Sequence, residues 1–180
     1  MILYHGTSAK TADEIEKNGF IPDKTYNWQI KSRKGLVYLS LAYAPFYSEY
    51  TSKDDKAAII KVEVDEKKLL PEDDFVMAAV YRKPKYTQKE LNKADFSLAT
   101  AQQSLAYLGN ASAHPKDIKI IGIKKFDCSK LVFVCDPVIT HMNYVIMGEY
   151  YKDLTEYIYQ NGKHKGFLWL QTKGLKPTNL

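Results

Sequence analysis

The sequence predicts an α+β domain built on mixed, mostly antiparallel sheets. Two stretches, Ala57 to Val64 and Ile118 to Phe126, have the alternating, β-branched composition of strands. Candidate strands outnumber candidate helices, and they do not follow the regular βαβ order of a doubly wound sheet. A chain of 180 residues is the length of one domain. We therefore expect a single domain over residues 1–180, with residues 144–180 forming a C-terminal helix and basic tail.

The other elements follow from caps and periodicity. A short helix is predicted from a Thr11–Glu14 capping box to a stop at Asn18-Gly19. A second is predicted at Phe46 to Ser52, with Phe46, Tyr47 and Tyr50 toward the core. Thr87 to Glu90 is predicted to open a third, short helix, and Tyr144 to Tyr159 a fourth. The predicted strands are Met1 to Tyr4, Leu36 to Leu39, Val76 to Tyr81, Ser104 to Leu108 and Leu131 to Cys135. Gly109 to Pro115 is predicted to be a long turn, and Glu72-Asp73-Asp74 a solvated one, because it lacks the spaced oxygen ligands of a calcium loop.

Composition narrows the class of protein. Hydrophobic residues at 45% and charged residues at 26% are ordinary for a globular chain, whereas 14 tyrosines are many. Tyrosine offers flat apolar faces that stack on bases or on a pyridine ring. The net charge of +5 weakly favours a polyanionic partner.

Cysteine usage and apolar runs argue against several other classes. Cys128 and Cys135 are the only cysteines, which argues against a structural zinc site, and no metal is expected. No stretch is long enough to span a bilayer, and the N-terminus has no leader pattern. The expectation is a cytoplasmic protein with reduced thiols and no membrane partner.

The stretch Leu3-Tyr4-His5-Gly6-Thr7-Ser8 predicts a site at a strand end. Gly6 has no Cβ, so a flat ligand could lie against its backbone, and His5 offers a neutral donor and acceptor. The alternative is a structural histidine at the end of a strand. No glycine-rich phosphate loop is present, so a nucleotide would bind without a Walker or Rossmann motif.

A second stretch strengthens the case for a site and carries a resemblance. Three parts of the chain, taken in order, resemble the ADP-ribosyltransferase superfamily. They are Tyr4-His5-Gly6-Thr7, then Gly35-Leu36-Val37-Tyr38-Leu39-Ser40 with Ala44 and Tyr47, then the expected paired strands around Gln103 to Tyr107 and Ile118 to Ile123. The resemblance is to its His-Tyr-Glu branch, which includes diphtheria-type toxins, poly(ADP-ribose) polymerases and small bacterial toxins that modify nucleic acids. It covers about the first 125 residues, and the order of the motifs is more specific than any one motif.

The resemblance implies two packed, mostly antiparallel sheets with a few peripheral helices, and NAD⁺ as substrate. It implies that His5 binds a ribose hydroxyl, that the Gly6 backbone pairs with the nicotinamide carboxamide, and that Tyr38 and Tyr47 enclose the ring. It also places Thr7 and Ser40 among the residues that bind NAD⁺. For Thr7 and Ser8, a role in helix entry is the alternative.

The acidic residue of the family has no match in this chain. Its position falls in Ala101-Gln102-Gln103-Ser104, so Gln103 is placed there, with Gln102 as the alternative. Glutamine can bind a ribose hydroxyl but supplies no negative charge. Three explanations stay open: a slower enzyme, a deliberate Glu-to-Gln inactivation, or a charge supplied by Asp95 or Glu49.

The expected acceptor is a nucleic acid, RNA or DNA, with a protein side chain as the alternative. The net charge, the basic turn Arg82-Lys83-Pro84-Lys85 and the many tyrosines favour it. By analogy, a small transferase of this kind is an intracellular toxin or phage-defence effector with a neutralising partner protein. The rival interpretations are an NAD⁺-dependent RNA 2′-phosphotransferase and a non-catalytic module that binds NAD⁺ or RNA.

Overall fold

The structure is a computed structural model that describes residues 1–22, 30–41, 44–52 and 56–127. The elements predicted at 131–135 and 144–180 lie outside the described residues, as do the side chains of Phe46, Glu49 and Tyr50. In the part of the chain that is described, no helix combines the length and apolarity needed to cross a membrane.

Five strands and five α-helices make up the described fold. The strands are β1 (Ile2–Ser8), β2 (Val37–Ser40), β3 (Lys56–Val64), β4 (Asn110–Ala113) and β5 (Ile118–Asp127). The helices are α1 (Ala9–Asn18), α2 (Ala44–Thr51), α3 (Asp73–Phe75), α4 (Gln88–Leu91) and α5 (Ala101–Leu108). A π-helical turn, Val76–Val80, continues α3.

The strands form one five-stranded sheet in the order β4-β2-β1-β3-β5, and every neighbouring pair is antiparallel. The mixed α+β class and the antiparallel sheet are therefore confirmed. Among residues 1–22, 30–41, 44–52 and 56–127 there is one sheet, and the second sheet that the resemblance implies is not found there. The central strand β1 pairs with β3 along its whole length but with β2 only at Tyr4 and Ser40.

Alternate side chains of each strand point to opposite faces of the sheet, and the two faces are covered unequally, with Lys61 and Glu63 of β3 exposed. On one face Leu3, Leu39 and Ile60 are buried in a cluster that also contains side chains of α1 and α5. On the other face Tyr4 and Ile59 pack against Ala44 of α2. The core therefore lies mainly between the sheet and helices α1 and α5, and α2 closes the opposite face.

Several boundaries differ from the predictions. Helix α1 is capped by Ser8, which accepts the Thr11 N–H at 3.1 Å, so Thr11 is inside the helix instead of at its start. The predicted stop at Gly19 is confirmed, with a φ of 72°. The segment expected to be a strand at Val76 to Tyr81 is the π-helical turn, in which Val76 and Met77 are buried side by side.

The region after residue 100 shows the largest correction. Residues expected to begin a strand at Ser104 instead form α5, because a Thr100–Gln103 capping box starts a helix and Gly109, at φ 70°, ends it. The expected turn from Gly109 to Pro115 contains β4, whose residues pair with β2 from Val37↔Ala113 to Ser40↔Asn110. The short helix predicted to open at Thr87 to Glu90 is confirmed as α4, and a Thr87–Glu90 capping box starts it.

Candidate functional site

A cavity of about 1700 Å³ opens where β1 and β2 separate. His5 and Gly6 of β1, Tyr38 of β2 and Tyr47 of α2 all line it. Four residues predicted to form a site are thus brought to one cavity.

Thr7 and Ser40, which the resemblance places among the NAD⁺-binding residues, are not among the residues that line the cavity. Each is only 1% exposed, and the Ser40 hydroxyl donates to the Gly109 carbonyl at 3.4 Å. The Thr7 hydroxyl is buried without a partner among the described residues. Both side chains therefore belong to the interior of the sheet in this structure.

His5 is held in one orientation and one tautomer. Its Nδ1–H donates to the Tyr38 carbonyl oxygen at 2.9 Å, because a carbonyl can only accept. The ring meets Phe20 edge-on, with 5.2 Å between the ring centroids. Burial lowers the His5 pKa below its usual value, although the bond to Tyr38 opposes that shift. Neutral His5 therefore keeps a lone pair on Nε2.

Gly6 is required by the approach of α2. A Cβ at this position would overlap the Ala44 carbonyl oxygen and lie 2.7 Å from the Ser48 nitrogen. Both are backbone atoms that cannot rotate away. Gly6 therefore has a packing role on one face of β1, independent of any ligand that its backbone binds.

The hydroxyls of Tyr38 and Tyr47 are fixed by hydrogen bonds. Tyr38 donates to Asp73 Oδ2 at 2.7 Å and accepts the Arg33 backbone N–H at 3.0 Å. Burial, and then the negative charge of Asp73, raise the Tyr38 pKa. The Tyr47 hydroxyl accepts Asn110 Nδ2–H at 3.2 Å. These bonds set the position of each ring at the cavity wall.

The prediction of a solvated turn at Glu72-Asp73-Asp74 is wrong. Asp73 is 5% exposed and forms an ion pair with Arg33, with 2.7 Å between Nε and Oδ1. The Arg33 guanidinium also lies over the Phe96 ring, 3.6 Å from its centroid, and donates to the Pro71 carbonyl. A buried carboxylate is tolerated here because its partners surround it.

Glu72 is a buried carboxyl at the cavity. Its side chain caps α3, where Oε2 accepts the Phe75 N–H at 3.1 Å, and the residue is 8% exposed. Burial, followed by the charge of Asp74, raises the Glu72 pKa to about 7. Asp74 in turn accepts a hydrogen bond from the Tyr86 hydroxyl. All three carboxylates line the cavity.

The structure does not bring Gln103 to the cavity. Gln103 is exposed in the first turn of α5, and its Oε1 accepts the Thr100 N–H at 2.9 Å. The catalytic position assigned to it depended on a strand that is in fact this helix. Gln102 is also exposed on α5, and Asp95 is exposed and holds Ser97. Neither lines the cavity.

Exposed basic residues form part of the cavity lining. Lys31, Lys34 and Lys85 are exposed and line the cavity, and we call these three the basic rim. Lys83, in the same turn as Lys85, pairs with Glu90 instead. Within the described ranges, no group of three metal-ligating side chains comes together.

Comparisons with protein-family models, with curated proteins and with solved structures found no match to this chain. Its function is therefore inferred from the cavity and from the side chains that line it.

Proposed function

We propose that this chain is a mono-ADP-ribosyltransferase that transfers ADP-ribose from NAD⁺ to a nucleic acid, RNA or DNA. The observation that carries the proposal is the convergence of His5, Gly6, Tyr38 and Tyr47 on one cavity. The antiparallel sheet, with two strands that separate at the cavity, is compatible with an ADP-ribosyltransferase-like fold, and that finer fold assignment is part of the proposal.

The cavity suits a dinucleotide. Its volume of about 1700 Å³ exceeds the roughly 300–1000 Å³ typical of small-molecule pockets. In the proposed complex the nicotinamide ring packs on Tyr38 and Tyr47, whose hydroxyls are already bound to protein groups. His5 Nε2 accepts a hydrogen bond from a ribose hydroxyl, and the Gly6 backbone pairs with the carboxamide.

The reaction is substitution at the ribose carbon that bears nicotinamide. As the bond to the pyridine nitrogen breaks, its electron pair neutralises the pyridinium, and positive charge develops on the ribose ring. Nearby acceptor oxygens stabilise that charge. The hydroxyl or amine of the acceptor then bonds to the same carbon and gives up a proton.

The basic rim favours a nucleic acid over a protein as acceptor. Three exposed lysines that line the cavity would attract phosphates. We extend the proposal to a cytoplasmic toxin or phage-defence effector with a neutralising protein partner, by analogy with small transferases of this kind.

The position of Gln103 outside the cavity favours one second candidate, a module that binds NAD⁺ without turnover. The RNA 2′-phosphotransferase interpretation is weaker, because Arg33 is already committed to Asp73 and to the Pro71 carbonyl. A phosphate would have to compete with these bonds.

The test uses the full chain and two forms of NAD⁺, one labelled in the adenylate and one in nicotinamide. Each is incubated separately with RNA, DNA and cell lysate. Transfer predicts adenylate label on the nucleic acid and an equal release of labelled nicotinamide. Adenylate label on lysate protein alone would overturn the nucleic-acid acceptor. Binding of NAD⁺ without release of nicotinamide supports the non-catalytic module. The phosphotransferase is supported if an RNA that carries an internal 2′-phosphate loses that phosphate in the presence of NAD⁺.

A further inference from the structure

Two buried side chains that can accept further hydrogen bonds lie on one wall of the cavity. Glu72 and Asn110 are each 8% exposed and both line the cavity. Ser104 connects their backbones, because its hydroxyl accepts the Glu72 N–H at 3.0 Å and donates to the Asn110 carbonyl at 2.7 Å. The two residues are therefore held on either side of a single hydroxyl group.

The acceptor atoms of these side chains are only partly used. Oε2 of Glu72 accepts the Phe75 N–H, and the Glu72 carboxylate also accepts the Asp74 backbone N–H. These two bonds use about half of the roughly four lone-pair sites of a carboxylate, so the group can still accept a proton from a ligand. Asn110 donates through Nδ2 to Tyr47, and its Oδ1 has no partner in the same part of the chain. A buried acceptor without a donor is unfavourable, so this wall favours a ligand that brings hydroxyl or amine protons.

The two acidic neighbours of Glu72 are already occupied. Asp73 is bound by Arg33 and by the Tyr38 hydroxyl, and Asp74 is bound by the Tyr86 hydroxyl. Of these three consecutive carboxylates, Glu72 is the one whose described hydrogen bonds all come from backbone N–H groups, so no side chain competes with a ligand for it.

We propose that Glu72 is the catalytic carboxylate of this site and that its carboxylate takes the proton of the attacking acceptor. This inference rests on the proposed function. The bond between the ribose carbon and the nicotinamide nitrogen breaks, and its electrons remain on neutral nicotinamide. The bond from the acceptor oxygen to that carbon forms, and the acceptor proton moves to Glu72 and then to water.

The electrostatics suit a general base. Among the described residues, the titratable groups around Glu72 are Asp73 and Asp74 on its own segment and Tyr86 from the loop before α4, while α5 contributes the uncharged Ser104. Burial and Asp74 together place the Glu72 pKa at about 7. A base with a pKa near the working pH combines a useful deprotonated fraction with basicity.

The test compares Glu72→Gln with the wild type in the labelled transfer assay. The rate is measured from pH about 5.5 to about 8.5, a range that extends to both sides of a pKa of about 7. Glutamine can still accept the Phe75 N–H, so the cap of α3 is kept. We expect the transfer rate to fall about 100-fold or more, with NAD⁺ affinity close to wild type. The wild-type rate should rise with pH through about 7, and the variant should lose that rise.

The matched control is Glu63→Gln, which makes the same chemical change on an exposed side chain of β3 paired with Lys119. It should leave the rate and its pH profile unchanged. Thermal unfolding of all three proteins checks that each is folded.

The outcomes separate this inference from the proposed function. Wild-type transfer with an unaffected Glu72→Gln variant overturns the role of Glu72 and leaves the transferase standing. If Glu72→Gln lowers the transfer rate and the NAD⁺ affinity by the same factor, the catalytic role of Glu72 is also overturned. Such a variant has lost binding of the substrate in its ground state and not stabilisation of the transition state alone. A wild type that neither transfers nor releases nicotinamide overturns both.

Discussion

The burial of Glu72 predicts a pH-dependent penalty in stability that Glu72→Gln removes. The Glu72 pKa rises from an ordinary value of 4.5 to about 7 on folding. Between these values the folded chain holds a proton that the unfolded chain has released, so the free energy of unfolding falls as pH rises. One pKa unit corresponds to about 1.4 kcal/mol, so the loss across this interval is about 3 kcal/mol.

The assay is urea unfolding of wild type, Glu72→Gln and the control Glu63→Gln at pH values of about 4.5 and 8, which bracket the titration. Other titrating groups contribute equally to wild type and variant, so the change in their difference isolates Glu72. We expect Glu72→Gln to gain about 3 kcal/mol relative to wild type between the two pH values. A difference that is the same at both pH values would refute this account of Glu72 burial.

Three further predictions follow from contacts around the cavity. Gly6→Ala should destabilise the fold by about 2 kcal/mol or more in chemical denaturation, because its Cβ meets backbone atoms of α2, whereas Gly122→Ala, with 3.9 Å of space, should change stability little. Tyr38→Phe keeps the ring but removes a donor to buried Asp73, so the free energy of unfolding should fall by about 1–3 kcal/mol while a stacked nicotinamide retains its contact. Gln103→Glu should give no gain in transfer rate, because the side chain is exposed outside the cavity.

Each prediction has an outcome that contradicts it. Equal stability of the Gly6 and Gly122 variants would mean that α2 shifts away from β1 at no cost. A Tyr38→Phe variant as stable as wild type would mean that Asp73 finds another donor. A large rate gain in Gln103→Glu would place that residue at the reacting atoms and overturn the position of α5 relative to the cavity.

The sequence predicted elements with strong local patterns. The β-branched alternation of β3 and β5 identified both strands, and the segment Thr87 to Glu90 was correctly expected to open a short helix, α4. It missed β4, because Asn-Ala-Ser-Ala has little strand propensity and becomes a strand through pairing with β2. Helix α5 was predictable from its Thr100–Gln103 box and Gly109 cap, and expecting a strand there caused the error.

The site was predicted in part for the same reason. The motifs around His5 and Tyr38 pointed to a common cleft, and these residues do line one cavity, while their roles toward NAD⁺ stay predictions. Glu72 and Asp73 were misjudged because the partners that bury them come from distant parts of the chain. Arg33 lies 40 positions from Asp73, and Ser104 lies 32 positions from Glu72. Local sequence cannot distinguish such a cluster from a solvated turn.

The close approach of α2 to β1 at Gly6 fixes the distance between the two elements that carry Tyr47 and His5. Helix α2 carries Tyr47 and β1 carries His5, and the two elements meet there backbone against backbone. The spacing between these side chains is therefore set by main-chain atoms and not by interchangeable side chains. Surface substitutions along α2 can accumulate without altering that gap, whereas a single added methyl group at position 6 would widen it.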